Sequence, residues 1–195
     1  MQDVIGNAIA KLAQLTKLEV QPCWLATESQ SHSPDFAQLK QGLPIPPNDK
    51  GYIVFPAGRE VRWLYQKIII PESLAGYSVS GLTLRLVLTW WAEDAQIFIN
   101  NKLVQQGDLF DSSARVLITS DAVVGQEYEL AIRLVSPGHD IGALMRSHLL
   151  FEQINPVQNL DPGWLAKEIA VLDKYLTQFE PDKKPKLAQE LQNID

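Results

Sequence analysis

The sequence predicts a mainly β protein, an antiparallel β-sandwich flanked by an N-terminal helix and C-terminal helices. Three observations predict it. Apolar residues alternate with polar ones from about Val61 onward, apolar residues recur at the 3.6-residue period at both ends of the chain, and turn residues punctuate the alternating stretch.

The opening segment reads as a helix, with Val4, Ile5, Ala8, Ile9, Leu12 and Leu15 on one face. Lys11 and Lys17 lie toward its C-terminal end, where they suit the helix dipole. Residues 29–50 read as an irregular connection, because Ser29, Ser31, Ser33, Pro34, Gly42, Pro44, Pro46, Pro47 and Asn48 break both periods. Four alternating stretches then follow, at Val61–Trp63–Tyr65, Leu82–Leu84–Leu86–Leu88, Ala95–Ile97–Ile99 and Tyr128–Leu130–Ile132–Leu134. One apolar and one mostly polar face per strand is the pattern of antiparallel sheets in a sandwich, not of a buried parallel sheet. Asn100-Asn101 predicts a tight hairpin, because Asn tolerates positive φ; Gly107-Asp108 and Gly125-Gln126 predict further turns. Arg115 to Thr119 and Ser147 to Glu152 supply further strands, six to eight in all between 50 and 155.

After Pro156 the helical period returns. Asp161-Pro162 is a cap followed by proline at the first helical position, and Glu180-Pro181 stops the helix. Leu165, Ile169, Leu172, Leu176 and Phe179 form its expected buried stripe, with Trp164 and Tyr175 beside it. Leu187, Leu191 and Ile194 begin a last short helix with no evident partner, which reads as the entrance to something missing. The predicted divisions are 1–50, a helix and connection packed on the sandwich; 51–158, the sandwich; and 159–195, a helical linker.

Composition narrows the function. Of 195 residues, 46% are hydrophobic, within the ordinary globular range. A net charge of −6 gives no general field for a polyphosphate backbone, so nucleic acid is not an expected partner. The most apolar stretch, Leu74 to Ala92, holds Arg85 and alternates, so a membrane span is not expected. The start lacks the basic and apolar regions of a signal peptide, and the lone Cys23 excludes an intrachain disulfide; both favour a cytoplasmic location. Cys23 itself, beside Trp24, is expected to be a small buried hydrophobe.

Chemistry-bearing motifs are sparse. His32, His139 and His148 lack ligand spacing, and no HExxH, CxxC, GxSxG or phosphate loop occurs, so no metal or catalytic residue is assigned. His139-Asp140 reads as a strand-end turn with Asp140 capping backbone amides, or as an interface or ligand contact. Glu93, Asp94, Asp108, Asp111 and Asp140 are carboxylates beside turns, where Asp serves the backbone and a glycosidase pair is not expected. Trp90 and Trp91 point to opposite faces of a strand, so one is core and the other exposed or covered by a neighbour. An exposed Trp stacks on a sugar ring or packs against another domain.

The string Ala95-Gln96-Ile97-Phe98-Ile99-Asn100-Asn101-Lys102-Leu103-Val104-Gln105 resembles the hairpin of galactose-binding-like jelly rolls, which sit beside the catalytic domains of many glycoside hydrolases. Joined to residues 106–111, 130–140 and 142–147, to Val20-Gln21-Pro22-Cys23-Trp24 and to the terminal helices, it resembles the N-terminal region of bacterial, cyanobacterial-type α-mannosidases of glycoside hydrolase family 38. The resemblance implies a parent that hydrolyses α-mannosides with retention, assisted by zinc in a catalytic domain that begins after such helices. The family's His-x-His zinc motif, with its Asp and Trp, is not in this sequence, so no catalytic residue carries over.

Two functions of different class follow. The first is a docking domain that packs on its own catalytic domain or makes an oligomer contact, with Asp108, Asp111, His139, Asp140 and Arg146 as polar contacts near one edge of the sandwich. The second is an autonomous carbohydrate-binding module built on Trp90 or Trp91 with Asp94 or Arg85. Solvent exposure of one Trp beside polar groups discriminates between them.

Overall fold

The computed structural model describes residues 3–154 and 160–193. Pro156, the expected 158/159 boundary and Ile194 lie outside the described residues.

The chain opens with α1 (Val4–Gln14), capped by the Asp3 carboxylate, which accepts from the Gly6 amide, and burying Ile5, Ala8 and Leu12 as the periodicity predicts. Three short strands follow within residues 1–50: β1 (Lys17–Glu19), β2 (Leu25–Glu28) and, after the single-turn helix α2 (Phe36–Leu39), β3 (Leu43–Pro44). Then come β4 (Ile53–Phe55), β5 (Val61–Ile69), the two-stranded ribbon β6 (Ser73–Leu74) and β7 (Tyr77–Ser78), and β8 (Thr83–Trp91). The alternating region ends with β9 (Asp94–Ile99), β10 (Lys102–Gly107), β11 (Ser113–Thr119), β12 (Glu127–Val135) and β13 (Gly142–Glu152). The chain then enters α3 (Pro162–Phe179) and α4 (Lys184–Glu190).

The strands form two antiparallel sheets. Sheet A runs β1-β13-β8-β11, with β4 also paired to β13, and sheet B runs β10-β9-β12-β5-β2-β3. Leu84, Leu86 and Leu88 of β8 face Ile97, Leu130, Ile132 and Leu134 of sheet B, all fully buried. Asn100 and Asn101 have φ of 48° and 66°, the positive pair that a two-residue hairpin between β9 and β10 requires. A buried polar network ties the N-terminal segment into sheet A. Gln21 Nε2 donates to the Leu144 carbonyl at 2.8 Å, Ser147 Oγ donates to Gln21 Oε1 at 2.7 Å, and Trp24 Nε1 donates to Ser147 Oγ at 2.8 Å.

Three expectations are corrected. Cys23 is exposed at the end of a short 3₁₀ turn, and Trp24 beside it takes the buried place. Strand β5 is buried on both faces over Trp63 to Gln66, because Val61, Trp63 and Tyr65 cluster with Phe36 and Leu39 of α2. The last helix does have a partner: Leu187, Ala188 and Leu191 pack on the cluster that α1 and α3 form through Ile5, Leu12, Ala166 and Ile169.

Candidate functional site

The parity of β8 divides the tryptophan pair. Trp90 is 1% exposed and points into the core, where its Nε1 donates to the Asp108 carbonyl at 3.2 Å. Trp91 is 38% exposed and stands on the outer face of sheet A. There it shares a row with Ala143 of β13 and Val54 of β4, both pairs being in direct register.

Around Trp91 lies an open cleft of about 490 Å³. One wall is the turn 48–52, shaped by Asn48, whose Oδ1 accepts from the amides of Lys50 and Tyr52, both at 3.0 Å, and by Gly51 at φ 79°. The other wall is Asp140 and Ile141. Asp140 Oδ2 accepts from Trp91 Nε1 at 3.2 Å and its Oδ1 accepts from the Ile141 amide at 2.8 Å, so one carboxylate fixes both the indole and the turn. The cleft therefore presents an indole with carboxylate, phenol and ammonium groups from Asp140, Asp49, Tyr52 and Lys50. An apolar ring face beside a few convergent polar groups suits a ligand with apolar faces and hydroxyl edges.

The other predicted residues lie outside this cleft. His139 sits on the exposed turn next to Asp140. Asp108 and Asp111 form the turn over Trp90 at the same end of the sandwich. Asp108 Oδ1 accepts from the Phe110 and Asp111 amides, at 2.7 and 2.9 Å, and these bonds hold its carboxyl below the usual range. This turn lifts Phe110 clear of the fold, at 99% exposed. Asp94 belongs to sheet B, where it pairs with Arg133 at 2.5 Å, and does not meet Trp91. Arg85 likewise serves another group, pairing with Glu152 at 3.1 Å on the outer face of sheet A. Arg146 lies past the bulge in β13 and faces a second cleft under α3.

One face was hidden in the sequence. Helix α3 is capped as predicted, with Asp161 Oδ1 accepting from the Trp164 amide at 2.9 Å, and it buries Ala166, Ile169 and Leu176. Leu172 and Phe179, expected in that buried stripe, instead face out with Trp164, Val171 and Tyr175; Val171 is 68% and Phe179 62% exposed. Tyr175 and Phe179 rest on each other, ring centroids 5.2 Å apart. Helix α3 is apolar around more than half its circumference, and α1 covers only part of it.

Among the described residues no group of three or more His, Cys, Asp or Glu side chains converges for a metal ion, and no helix is long and apolar enough to cross a membrane. No family model matches the chain, and no curated protein matches it. Solved structures do. A glycosyl hydrolase family 2 member from Bacteroides cellulosilyticus is 15% identical, with TM-score 0.52 over 70% of this chain and 21% of its own. A β-glucuronidase from Bacteroides uniformis is 15% identical, with TM-score 0.51 over 71% of this chain and 18% of its own. The chain spans about a fifth of the length of these structures. The likeness carries the fold: a β-sandwich of the kind found in family 2 glycosidases.

Proposed function

We propose that this chain is an ancillary, non-catalytic β-sandwich domain of a glycoside hydrolase, docked on its own catalytic domain. The observation that carries this reading is the outward stripe of α3, where Trp164, Val171, Leu172, Tyr175 and Phe179 line up on one helix with water in front of them. Large apolar side chains contiguous on a surface mark an interaction face. The fold likeness to much longer glycosidase structures, about a fifth of whose length it covers, supports the class of partner.

The finer parentage is a family 38 α-mannosidase, and it rests on sequence resemblance alone: the strings between Ala95 and Ser147, the Val20–Trp24 segment and the terminal helices. In that reading zinc and the nucleophilic carboxylate belong to the partner domain, and the enzyme works in the cytoplasm, in keeping with a single, exposed thiol. The test supplies the α-mannosidase catalytic domain in trans. Val171→Asp with Phe179→Asp is expected to weaken association at least thirtyfold while the melting temperature stays within a few degrees. Association that ignores both changes overturns the docking face. A concentration-dependent dimer of the isolated chain, abolished by the same changes, assigns the stripe to a second copy instead.

A second reading, a carbohydrate-binding module, is favoured by the half-exposed Trp91 beside Asp140. Titration with α-mannosides and galactosides is expected to move the Trp91 indole N–H signal saturably, and Trp91→Ala to abolish binding. An unmoved indole at millimolar sugar removes this reading and leaves docking.

A further inference from the structure

Strand β13 runs between two clefts on the outer face of sheet A. The one described above takes residues Ala143 and Met145; the other, of about 670 Å³, takes Arg146, His148, Leu150 and Glu152 on one side and α3 on the other. Alternation puts Arg146, His148 and Leu150 on the same face of the strand. Spacing of three residues puts Trp164 and Lys167 on the same face of α3.

The charges in this second cleft do not balance. Lys17, Arg115, Arg146 and Lys167 line it, against the carboxylates of Glu152 and Asp161. Both carboxylates are already engaged. Glu152 pairs with Arg85 and Arg115, and Asp161 accepts from the amides of Trp164 and Gln153. Lys17 pairs with Glu19. Arg146 and Lys167 are left with no ion pair among the described residues, in a chain whose overall charge is −6. Between them His148 is 8% exposed, and its buried Nδ1 has no hydrogen-bond partner. The groups facing His148 are Lys17 and Glu19 from β1, Arg146 from its own strand and Lys167 from α3. Trp164 and Leu150 supply apolar wall.

Cations that converge over an apolar wall concentrate anions there, and a guanidinium with an ammonium fits a tetrahedral or planar oxyanion. We propose that this cleft binds a small oxyanion ligand, a phosphate or carboxylate carried on a ring. Arg146 and Lys167 would hold the oxyanion, His148 would form the wall between them, and the ring would lie against the Trp164 indole. This site is separate from the Trp91 cleft; it shares Trp164 with the outward stripe of α3 but takes no part of Val171, Leu172, Tyr175 or Phe179.

The test uses the full chain, followed by the indole N–H signals, with Trp164→Phe identifying the Trp164 peak. Inorganic phosphate, glucose 6-phosphate and glucose are titrated separately. Saturable movement of the Trp164 peak is expected with both phosphates, with glucose 6-phosphate binding at least threefold tighter, and not with glucose. Arg146→Gln with Lys167→Gln is expected to weaken both at least tenfold, while unshifted Trp24, Trp63 and Trp90 indoles report an intact fold. No saturable movement with either phosphate up to about 50 mM, or equal binding in the double variant, overturns the site. Equal affinity for the two phosphates removes the ring from the proposal. Glucose binding as tightly as its phosphate removes the oxyanion.

Discussion

The outer faces of the two sheets have opposite fates. On sheet B the chain covers itself. Trp63, Tyr65, Phe98 and Ala131 form one buried cluster with Phe36 and Leu39, and the cover is pinned by polar contacts. Trp63 Nε1 donates to the Ser31 carbonyl at 3.2 Å, Tyr65 donates its hydroxyl to Glu129 at 2.9 Å, and Lys40 pairs with Glu129 at 2.6 Å. The Lys40 ammonium holds the Glu129 carboxyl below its usual range, and burial pushes the Tyr65 phenol well above its own. On sheet A the same kinds of residue, Trp91, Arg146, His148 and Glu152, line open clefts. An aromatic residue on an outer face is thus buried when a segment of its own chain lies over it and stays open to solvent when none does.

Substitution breaks or sharpens this contrast. The largest effect is expected from Trp63→Ala on the covered face, about 3–5 kcal/mol of stability by urea unfolding. A loss below about 1 kcal/mol there would mean that the cover is loosely held. Next comes acid. Burial, aided by Lys17, lowers the His148 pKa from 6.5 to about 4. The folded protein keeps the ring neutral while the unfolded chain takes up a proton, so the contribution is complete above about pH 6.5 and is lost as pH falls toward 4. Its full size is about 3 kcal/mol. Comparing urea midpoints at pH 7 and 4.5, His148→Gln is expected to lose less stability than the parent chain; equal losses would contradict the burial of this ring. Glu152→Gln, which releases Arg85 and Arg115 on a half-open surface, is expected to cost roughly 0.5–1 kcal/mol. The smallest effect is expected from Trp91→Ala, within about 1 kcal/mol of the parent. A cost near that of Trp63→Ala would erase the difference between the faces.

Much of this was legible from the residues. Leu82 to Leu88 alternate cleanly because one side of β8 meets the core and the other meets solvent or cleft. The Asn-Asn hairpin and the Asp161 cap are local devices, readable without tertiary knowledge. Strands β1, β2 and β3 span only two to four residues each, too short for a period to show. The parity of Trp90 and Trp91 was fixed by their adjacency, but which one faced out depended on the register of β8 against β13. The outward stripe of α3 escaped because Leu172 and Phe179 satisfy the apolar period as well as Leu176 does, and only the position of α1 decides between the faces. Arg146, His148 and Lys167 sit on elements remote in sequence, so no spacing announced their meeting.

The network of Gln21, Trp24 and Ser147 has a consequence for synthesis. Its members are up to 126 positions apart, and β1 likewise pairs with β13, so both wait until residues 142–152 are made. Residues 17–24 therefore stay without their sheet A partners while residues 25–141 are made, whereas the strands of sheet B have all their partners before β13 is made. Such a topology folds slowly for its size and exposes apolar strands meanwhile. A nascent chain stalled before residue 142 is expected to be protease-sensitive at residues 17–24, whereas one stalled with β13 clear of the tunnel is expected to protect them.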